Sequence, residues 1–263
     1  MSEYFRVIAC ALAMIALAAP ASAAQTVGDY PNRPIRLVVP FAPGGSTDIV
    51  ARLIAQKLTE QWGKQVVVDN RSGANGAIGM EIVARASPDG HTLVLGYIAN
   101  LGTGPALNPK LPYDAIEDFA PISHIVSAPS IAVIHPAVPA KNLQDTIALA
   151  RAKPGAIAFG TAAVGSIGHL SGEMINRLAG IAMTHVPYKG GGQAVIDVLA
   201  GQIPMVIIGM TAVTPHVRSG RLRAIATTGA KRSFAFPAVP TVAEQGFPGF
   251  AADAWYGLLT TAG

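Results

Sequence analysis

Two glycine-rich loops carry the residues whose types and spacing are best suited to holding a ligand. The first loop is PFAPGGSTD (residues 40–48), between an apolar run and a segment of helical period. The second loop is GTAAVGSIGH (residues 160–169), with hydroxyls on Thr161 and Ser166. At such a junction the first amide N–H groups of the helix lack intrahelical partners and lie at the positive end of its dipole. An opposed pair of these junctions predicts a site for a dicarboxylate or an amino acid.

The first loop favours a small anion over a nucleotide. Gly44 and Gly45 permit a tight turn and a close approach of the backbone to a ligand. No lysine precedes the hydroxyl residues, as a phosphate-binding P-loop would require. Ser46 or Thr47 is expected to cap the helix, and Asp48 suits its first turn electrostatically. The alternative is an ordinary capped helix without a ligand.

The third loop is HVPYKGGG (residues 185–192), which follows a predicted strand. It would place Tyr188 and Lys189 at the same cleft. The alternative is a glycine turn at the end of a strand, with a surface lysine. The residues alone leave both interpretations open.

The catalytic and metal-binding motifs that we considered do not match the sequence. Ser166 lies in VGSIG, where Val164 replaces the first glycine of the G-x-S-x-G nucleophile motif. The six histidines are scattered, although His169 lies one helical turn from Glu173. That pair could share a metal, but a local hydrogen bond is its more ordinary role. The dinucleotide motif G-x-G-x-x-G does not occur either. We therefore expect no metal, no cofactor and no enzymatic activity.

Residues 1–24 have the features of a cleaved signal peptide. Arg6 precedes the apolar run VIACALAMIALAA (residues 7–19), and small residues follow at Ala21 and Ala23. The run is too short to span a bilayer, which disfavours the alternative of an uncleaved anchor. Cys10, the only cysteine of the chain, lies in this run. The predicted mature protein is therefore exported to the periplasm and has no disulfide.

The charge pattern also suits a small anionic ligand. Lysines and arginines number 19 against 15 acidic residues, a net charge of +4 without a basic run. This mild field argues against nucleic acid as a partner. Apolar residues make up 51% of the chain and charged residues only 13%, so a large core can form.

The elements that must position these loops are alternating strands and helices. Apolar runs rich in valine, isoleucine and leucine alternate with segments of helical period, which predicts a mostly parallel sheet covered on both faces. A proline-rich, irregular stretch (residues 100–122) and an extended stretch (127–140) separate two such sets. Predicted strands occupy residues 34–41, 65–70, 91–97, 156–160, 183–188 and 203–209, and predicted helices occupy 47–63, part of 72–87, 142–154, 169–180 and 194–201.

Two α/β lobes joined by extended crossings would form a cleft between them. Residues 25–125 and 226–263 are assigned to lobe 1, and residues 126–225 to lobe 2. The first loop would then face the second loop across the cleft. The extended segment 221–229 would lead the chain back to lobe 1.

From about Tyr30 onward, seven sequence blocks occur in the order typical of one family. The chain resembles the periplasmic solute receptors of tripartite tricarboxylate transporters, also called Bug receptors. Any one block is weak, but the ordered set is specific. The blocks are YPNRPIRLVVPFAPGGSTDIVARLIAQKL, VVVDNRSGANGAIG, ASPDGHTLVLG, YDAIEDFAPIS, GSIGHLSGEM, HVPYKGGGQAVIDVLAGQI and FPAVPTVAEQGFPGFAADAWYGLL.

The resemblance implies a two-lobed α/β periplasmic-binding-protein fold, type II-like, that closes on a small carboxylate, often through ordered waters. It also implies that Asp48 holds waters or a ligand amine. Residues from both lobes would bind the ligand. By their match to the family blocks these are Phe41, Ala42, Pro43, Gly44, Gly45 and Asp48 from one lobe, and Thr161, Ala162, Gly165, Ser166 and His169 from the other, with Tyr188, Lys189 and Gly190 nearby.

The expected function is that of a monomeric, non-enzymatic receptor. It would capture a di- or tricarboxylate, an amino acid or an aromatic acid and deliver it to the membrane components of a tripartite transporter. Three alternatives remain open: a solute-sensing protein that contacts a membrane sensor, a truncated paralogue that does not transport, and an exported hydrolase using Ser166 or His169.

The chain departs from the family pattern at two places and ends early. Pro204 stands where an aspartate is common, and Gly192–Gln193 replace a small residue and a proline. Family members continue beyond the equivalent of Gly263, so we expect either a fragment or a truncated paralogue.

Overall fold

The computed structural model describes residues 30–263, and the predicted signal peptide lies outside the described residues. Arg33–Gly263 forms one compact unit, which contains all of the elements below. Among the described residues, no helix has the length and apolar character needed to cross a membrane.

The predicted alternation of strands and helices is present. The strands are β1 (Ile35–Val39), β2 (Val66–Asn70), β3 (Thr92–Tyr97), β4 (Phe119–Ile134), β5 (Ala158–Thr161), β6 (Thr184–Pro187), β7 (Met205–Gly209), β8 (Arg223–Thr227) and β9 (Asp253–Thr261). The helices are α1 (Ser46–Trp62), α2 (Ala77–Ala84), α3 (Ile98–Leu101), α4 (Thr103–Leu107), α5 (Leu143–Ala152), α6 (Ile167–Ala179), α7 (Gly191–Leu199) and α8 (Met210–Arg218).

The sheet is mixed, and the prediction of a mostly parallel sheet was wrong. Its strand order is β2-β1-β3-β9-β4-β7-β5-β6, and β8 pairs with β4. β1 is parallel to β2 and β3, and β5 is parallel to β6 and β7. Strands β4 and β9 are antiparallel to every strand with which they pair. The alternating pattern in the sequence reports only the parallel βαβ units, because β4 and β9 lie outside it.

β4 belongs to two halves of the sheet. Its residues 119–129 pair with β9, whereas residues 130–134 pair with β7. We call β2, β1, β3 and β9 the first half-sheet, and β7, β5, β6 and β8 the second half-sheet. Parallel strands in each half end at the same edge, so the loops that follow them gather there.

Each half-sheet has its own core. Leu37 of β1 and Leu95 of β3 are fully buried and pack with α1 in the first. Phe159 of β5, Ile175 of α6 and Met205 of β7 are equally buried in the second. Burying a side chain of this size stabilises the fold by about 1.5–3 kcal/mol. Each half-sheet therefore anchors its loops on a tightly packed core.

The chain between β8 and β9 packs on the second half-sheet. Ala226, Val242 and Phe250 belong to the same core as Phe159. The chain returns to the first half-sheet only with β9, through the pairing of β9 with β3.

Helix α1 begins differently from its predicted capping. Its N-cap residue is Gly45, and no side chain caps it. The prediction that Ser46 or Thr47 caps the helix was wrong because both residues already lie in the first helical turn. The end of the helix is as predicted, with Gly63 in the left-handed conformation (φ 64°).

Candidate ligand-binding cleft

The amino-terminal turns of four helices surround one small cavity where the two half-sheets meet. Ser46 and Thr47 of α1 line it, together with Gly191, the first residue of α7. Ser166 and Gly209, the N-cap residues of α6 and α8, line it as well. The sequence predicted two converging helix starts, and the fold brings four together. The remaining lining residues are Phe41, Gly45, Tyr97, Ala162, Gly168, Ile207, Ile208 and Tyr256.

The electrostatics of this inner cavity come from the backbone. None of its lining residues is charged. The N-cap residues Gly45, Gly190 and Gly209 supply no side-chain cap, so first-turn amides of α1, α7 and α8 keep their donors available. Each helix start also carries partial positive charge. The volume of about 20 Å³ leaves room for about one water molecule, and the arrangement favours a compact anionic group.

Asp48 shapes the first loop through its own hydrogen bonds. The residue is buried, with 4% of its surface exposed. Its Oδ2 accepts hydrogen bonds from Gly44 N and Arg52 Nε, both at 3.0 Å. Its other oxygen accepts from Asn70 Nδ2, which also donates to the carbonyl of Phe41. Burial would raise the pKa of Asp48, but the donors Arg52, Gly44 and Asn70 lower it overall. Contact of Asp48 with waters or an amine of the ligand stays a prediction.

The first and third loops touch directly across the cleft. Ala42 N donates a hydrogen bond to Lys189 O (2.8 Å). A Cβ atom on Gly192 would lie 2.4 Å from Pro43 O, and one on Gly45 would lie 2.9 Å from Gly191 N. Glycine is therefore required at these contacts, because a side chain would separate the loops.

Two histidines pack against the second loop and contact its residues through their ring nitrogens. The rings of His169 and His185 stack with 3.9 Å between centroids. Gly165 N donates to His169 Nδ1 (3.0 Å), and Thr161 Oγ1 lies 2.7 Å from His185 Nε2. Burial and the neighbouring His169 lower the pKa of His185 to about 4, and burial likewise lowers the pKa of His169. Both rings are therefore neutral near pH 7.

Ser166 caps helix α6. Its Oγ accepts a hydrogen bond from His169 N (3.3 Å). The amide of the next residue, Ile167, donates to the Tyr97 hydroxyl (3.4 Å). Tyr97 stacks on Tyr256 at the floor of the cavity, with 5.2 Å between the centroids. Burial raises the pKa of Tyr97 to about 12, so this tyrosine stays neutral.

Ser46 supplies a buried hydroxyl that the ligand could use. Ser46 Oγ makes no hydrogen bond of good geometry within the described residues, although it lies close to Tyr256. A buried polar atom without a partner is uncommon in folded proteins. Its place on the wall of the inner cavity makes it a candidate ligand contact.

A larger outer pocket adjoins the inner cavity at Phe41, which lines both. Its volume is about 220 Å³. Tyr188 and Lys189 are among its walls, and Lys189 is the one charged residue in its lining. The Tyr188 hydroxyl donates to Asp197 Oδ2 (2.7 Å), which fixes the ring. The other lining residues are Gly73, Ala74, Asn75, Gly76, Ala163, Val164 and Pro187.

The structure brings the predicted site residues to one region in two roles. Those that line a cavity are Phe41, Gly45, Ala162, Ser166, Tyr188 and Lys189. The others shape or brace the loops: Ala42, Pro43, Gly44, Asp48, Thr161, Gly165, His169 and Gly190. Of the two departures from the family pattern, Gly192 is at the loop contact. Pro204 lies outside both linings, and its carbonyl accepts from His135 N.

Sequence reasoning missed several residues of the cleft. Tyr97 and Gly209 end strands β3 and β7, and position at a strand end could have identified both. Tyr256 lies within the antiparallel strand β9, which the pattern did not predict. The tight segment Gly73 to Gly76 appeared in the sequence as an ordinary loop.

Two α/β halves joined by crossing strands, with helix amino termini converging on a cleft between them, define a two-lobed solute-binding protein. Comparison with known proteins gives the family. The family model described as tripartite tricarboxylate transporter family receptor matches residues 50–263. The chain belongs to this family of periplasmic receptors, and the predicted fold and family are confirmed.

Individual relatives agree with this assignment. BugT of Bordetella pertussis is 42% identical over 264 residues, which cover 100% of this chain and 80% of BugT. The structure of Rpa4515 from R. palustris with adipate is 36% identical with a TM-score of 0.87, covering 89% of this chain and 79% of that one. MatC from Rhodopseudomonas palustris, with bound malate, is 34% identical with a TM-score of 0.83, covering 89% and 80%.

Proposed function

We propose that this chain is a periplasmic receptor that binds a small organic carboxylate reversibly, leaves it chemically unchanged and delivers it to the membrane components of a tripartite transporter. The observation that carries this proposal is the convergence of four helix amino termini on one uncharged cavity. Backbone donors of this kind bind carboxylates without a dedicated arginine. Membership in a receptor family supports the same function.

Two neighbouring cavities that share Phe41 in their walls suit a short dicarboxylate. One carboxylate would place an oxygen in the inner cavity, where there is room for about one water, and the rest of the ligand would extend past Phe41 into the outer pocket of about 220 Å³. Lys189 lines the outer pocket, where it would bind a second anionic group of the ligand. The solved relatives with adipate and malate hold ligands of this class.

We also propose where the two lobes meet. Lobe 1 would comprise the first half-sheet with α1 to α4, and lobe 2 the second half-sheet with α5 to α8 and the segment up to residue 252. The crossings would then lie within β4, near Pro129 and Ser130, and just before β9. Bending at two crossings would open the cleft as a hinge.

The arrangement of Ser166 does not favour a hydrolase. A nucleophilic serine needs a base within hydrogen-bonding distance. Ser166 Oγ instead accepts from the backbone of His169, and His169 Nδ1 accepts from Gly165 N. Neither side chain is arranged to activate the other.

A thermal-unfolding screen against mono-, di- and tricarboxylates, amino acids and aromatic acids tests the proposal. A ligand at 100 times its Kd adds about 2.7 kcal/mol to the free energy of unfolding, which raises Tm by about 5–10 °C for a chain of this size. Mass spectrometry after long incubation should return the ligand unchanged. Folded protein whose Tm responds to no carboxylate would contradict the proposal, and turnover lost in Ser166→Ala would support a hydrolase instead.

A further inference from the structure

The segment Gly73 to Gly76 holds an unusual backbone at the mouth of the cleft. All four of its residues have positive φ, and two of them, Ala74 (46°) and Asn75 (58°), carry side chains. The left-handed region is unfavourable for residues with a Cβ atom, least so for asparagine. Such conformations persist where surrounding contacts enforce them, and they concentrate at functional sites.

The buried side chain of Asn100 packs against this segment and holds its backbone conformation. It is 1% exposed, and its Nδ2 donates to the main-chain oxygen of Asn75 (3.0 Å). A Cβ atom on Gly76 would lie 2.1 Å from the same Nδ2. These close contacts fix the backbone conformation of residues 73–76, with the Asn75 side chain directed at the second loop.

Two side chains from the first half of the molecule hold the tip of the second loop. Asn75 Nδ2 donates to Val164 O (2.9 Å), and Thr103 Oγ1 donates to Gly165 O (2.8 Å). These are consecutive carbonyls, immediately before Ser166 at the inner cavity. Because both bonds join protein to protein, they act on the loop whether or not a ligand is present.

We infer that Asn75 and Thr103 are positioning residues that hold the second loop, and with it the second lobe, in the closed arrangement. Thr103 lies outside both cavity linings and acts through the loop alone, whereas Asn75 also lines the outer pocket, so its effect on the loop is measured without a ligand. Because apparent affinity scales with the fraction of protein in the binding-competent state, these two bonds raise the affinity by populating the closed state. The inference rests on the proposed binding function for its consequence, but the closure itself can be measured without a ligand.

The experiment measures the distance between the lobes in ligand-free protein. The described residues contain no cysteine, so with Cys10→Ser the changes Lys110→Cys and Arg177→Cys give a unique pair of exposed sites for spin labels. Lys110 follows α4, and Arg177 lies on α6. Pulsed electron resonance then gives the ratio of closed to open molecules for each variant.

The variants separate the bond from the backbone strain. Asn75→Gly removes the amide and suits a positive φ, whereas the control Ala74→Gly relieves the same strain one residue earlier and keeps the bond. Thr103→Val removes the hydroxyl, and Thr103→Ser retains it. Losing either hydrogen bond should lower the closed-to-open ratio about threefold, and losing both about tenfold. Ala74→Gly and Thr103→Ser should leave the ratio near that of the parent.

Malate titrations by calorimetry separate this inference from the proposed function. If malate binds, Asn75→Gly with Thr103→Val should weaken its binding by the factor by which the closed fraction falls, at most about tenfold. If malate does not bind but the distance distribution shifts as expected, closure by Asn75 and Thr103 is supported and only the ligand assignment loses support. An unchanged closed-to-open ratio in the double variant would overturn the inference.

Discussion

At the scale of single residues, the cleft depends on positions where no side chain fits. Gly192 lies so close to Pro43 that a Cβ atom would be 2.4 Å from the carbonyl oxygen. Its neighbour Gly191 has ordinary space, since a Cβ atom there would be 3.6 Å from Gly45 Cα. The sequence identified Gly192 as a departure from its family, but only the fold shows which atoms it approaches.

Gly192→Ala should therefore weaken ligand binding. The added methyl would separate the first and third loops, and overpacking of this kind costs about 1–3 kcal/mol, or at least a fivefold loss of affinity. Gln193→Ala, at the next and exposed position of the same helix and outside both cavity linings, is the control and should bind almost normally. Calorimetry with the stabilising carboxylate measures both, and equal affinities for the two variants would contradict the role assigned to Gly192.

The stacked histidines predict how stability depends on pH. The pKa of His185 is lowered to about 4, whereas in the unfolded chain it titrates near 6.5. Between these values the unfolded state binds more protons, so the stabilisation present above pH 6.5 is lost as the pH falls towards 4. The pKa of His169 is lowered too, in the same direction.

Urea unfolding across that range measures the effect. The free energy of unfolding should decrease with acidification in the parent protein. It should decrease less in His185→Gln, whose amide can still meet Thr161. A pH profile that is equally steep in both proteins would show that His185 is not responsible.

At the scale of elements, the strongly periodic segments were predictable and the crossing strands were not. Helix α1 and strands β1, β2 and β3 lie where apolar periodicity placed them. The region 100–122, predicted as irregular, contains half of α3, all of α4 and the start of β4. Helix α8 and strand β9 were not predicted. The partners of β4 and β9 are distant in sequence, so no local pattern reports them.

The sequence predicted that helix amino termini form an anion site, but it did not predict how many helices converge there. Local sequence identified α1 and α6, whereas convergence with α7 and α8 is a product of the tertiary fold. Gly45 has an extended conformation (φ −84°, ψ 171°), which is compatible with a following proline. A proline at Ser46, the first helical position, removes one amide donor without breaking the helix.

Ser46→Pro should lower carboxylate affinity by more than Ser46→Ala. The alanine variant loses only the hydroxyl, while the proline variant also loses an amide that would donate to the anion. Charge-assisted hydrogen bonds are worth about 1.5–3 kcal/mol, so a further loss of at least tenfold is expected. Circular dichroism checks that the helix is retained. Equal affinities of the two variants would show that the amide of Ser46 does not bind the ligand.

At the scale of the whole molecule, the two half-sheets form the candidate site jointly. Each half-sheet has a core of its own, but Ala163 and Ile167 beside the second loop pack into the first core. The loops also meet through the hydrogen bond between Ala42 and Lys189 and through the bonds of Asn75 and Thr103. The site exists only when both halves contribute. For this reason the sequence could name the loops, but it could not show the inner cavity or the residues that hold the loops together.

The most direct test of the central claim is a crystal structure of the protein with the carboxylate that stabilises it most. We expect one carboxylate in the inner cavity, with oxygens about 3 Å from first-turn amides of at least two of the helices α1, α6, α7 and α8, directly or through one water. Tyr188 and Lys189 should face the remainder of the ligand. A carboxylate bound outside this cavity, or held only by side-chain cations, would contradict the account.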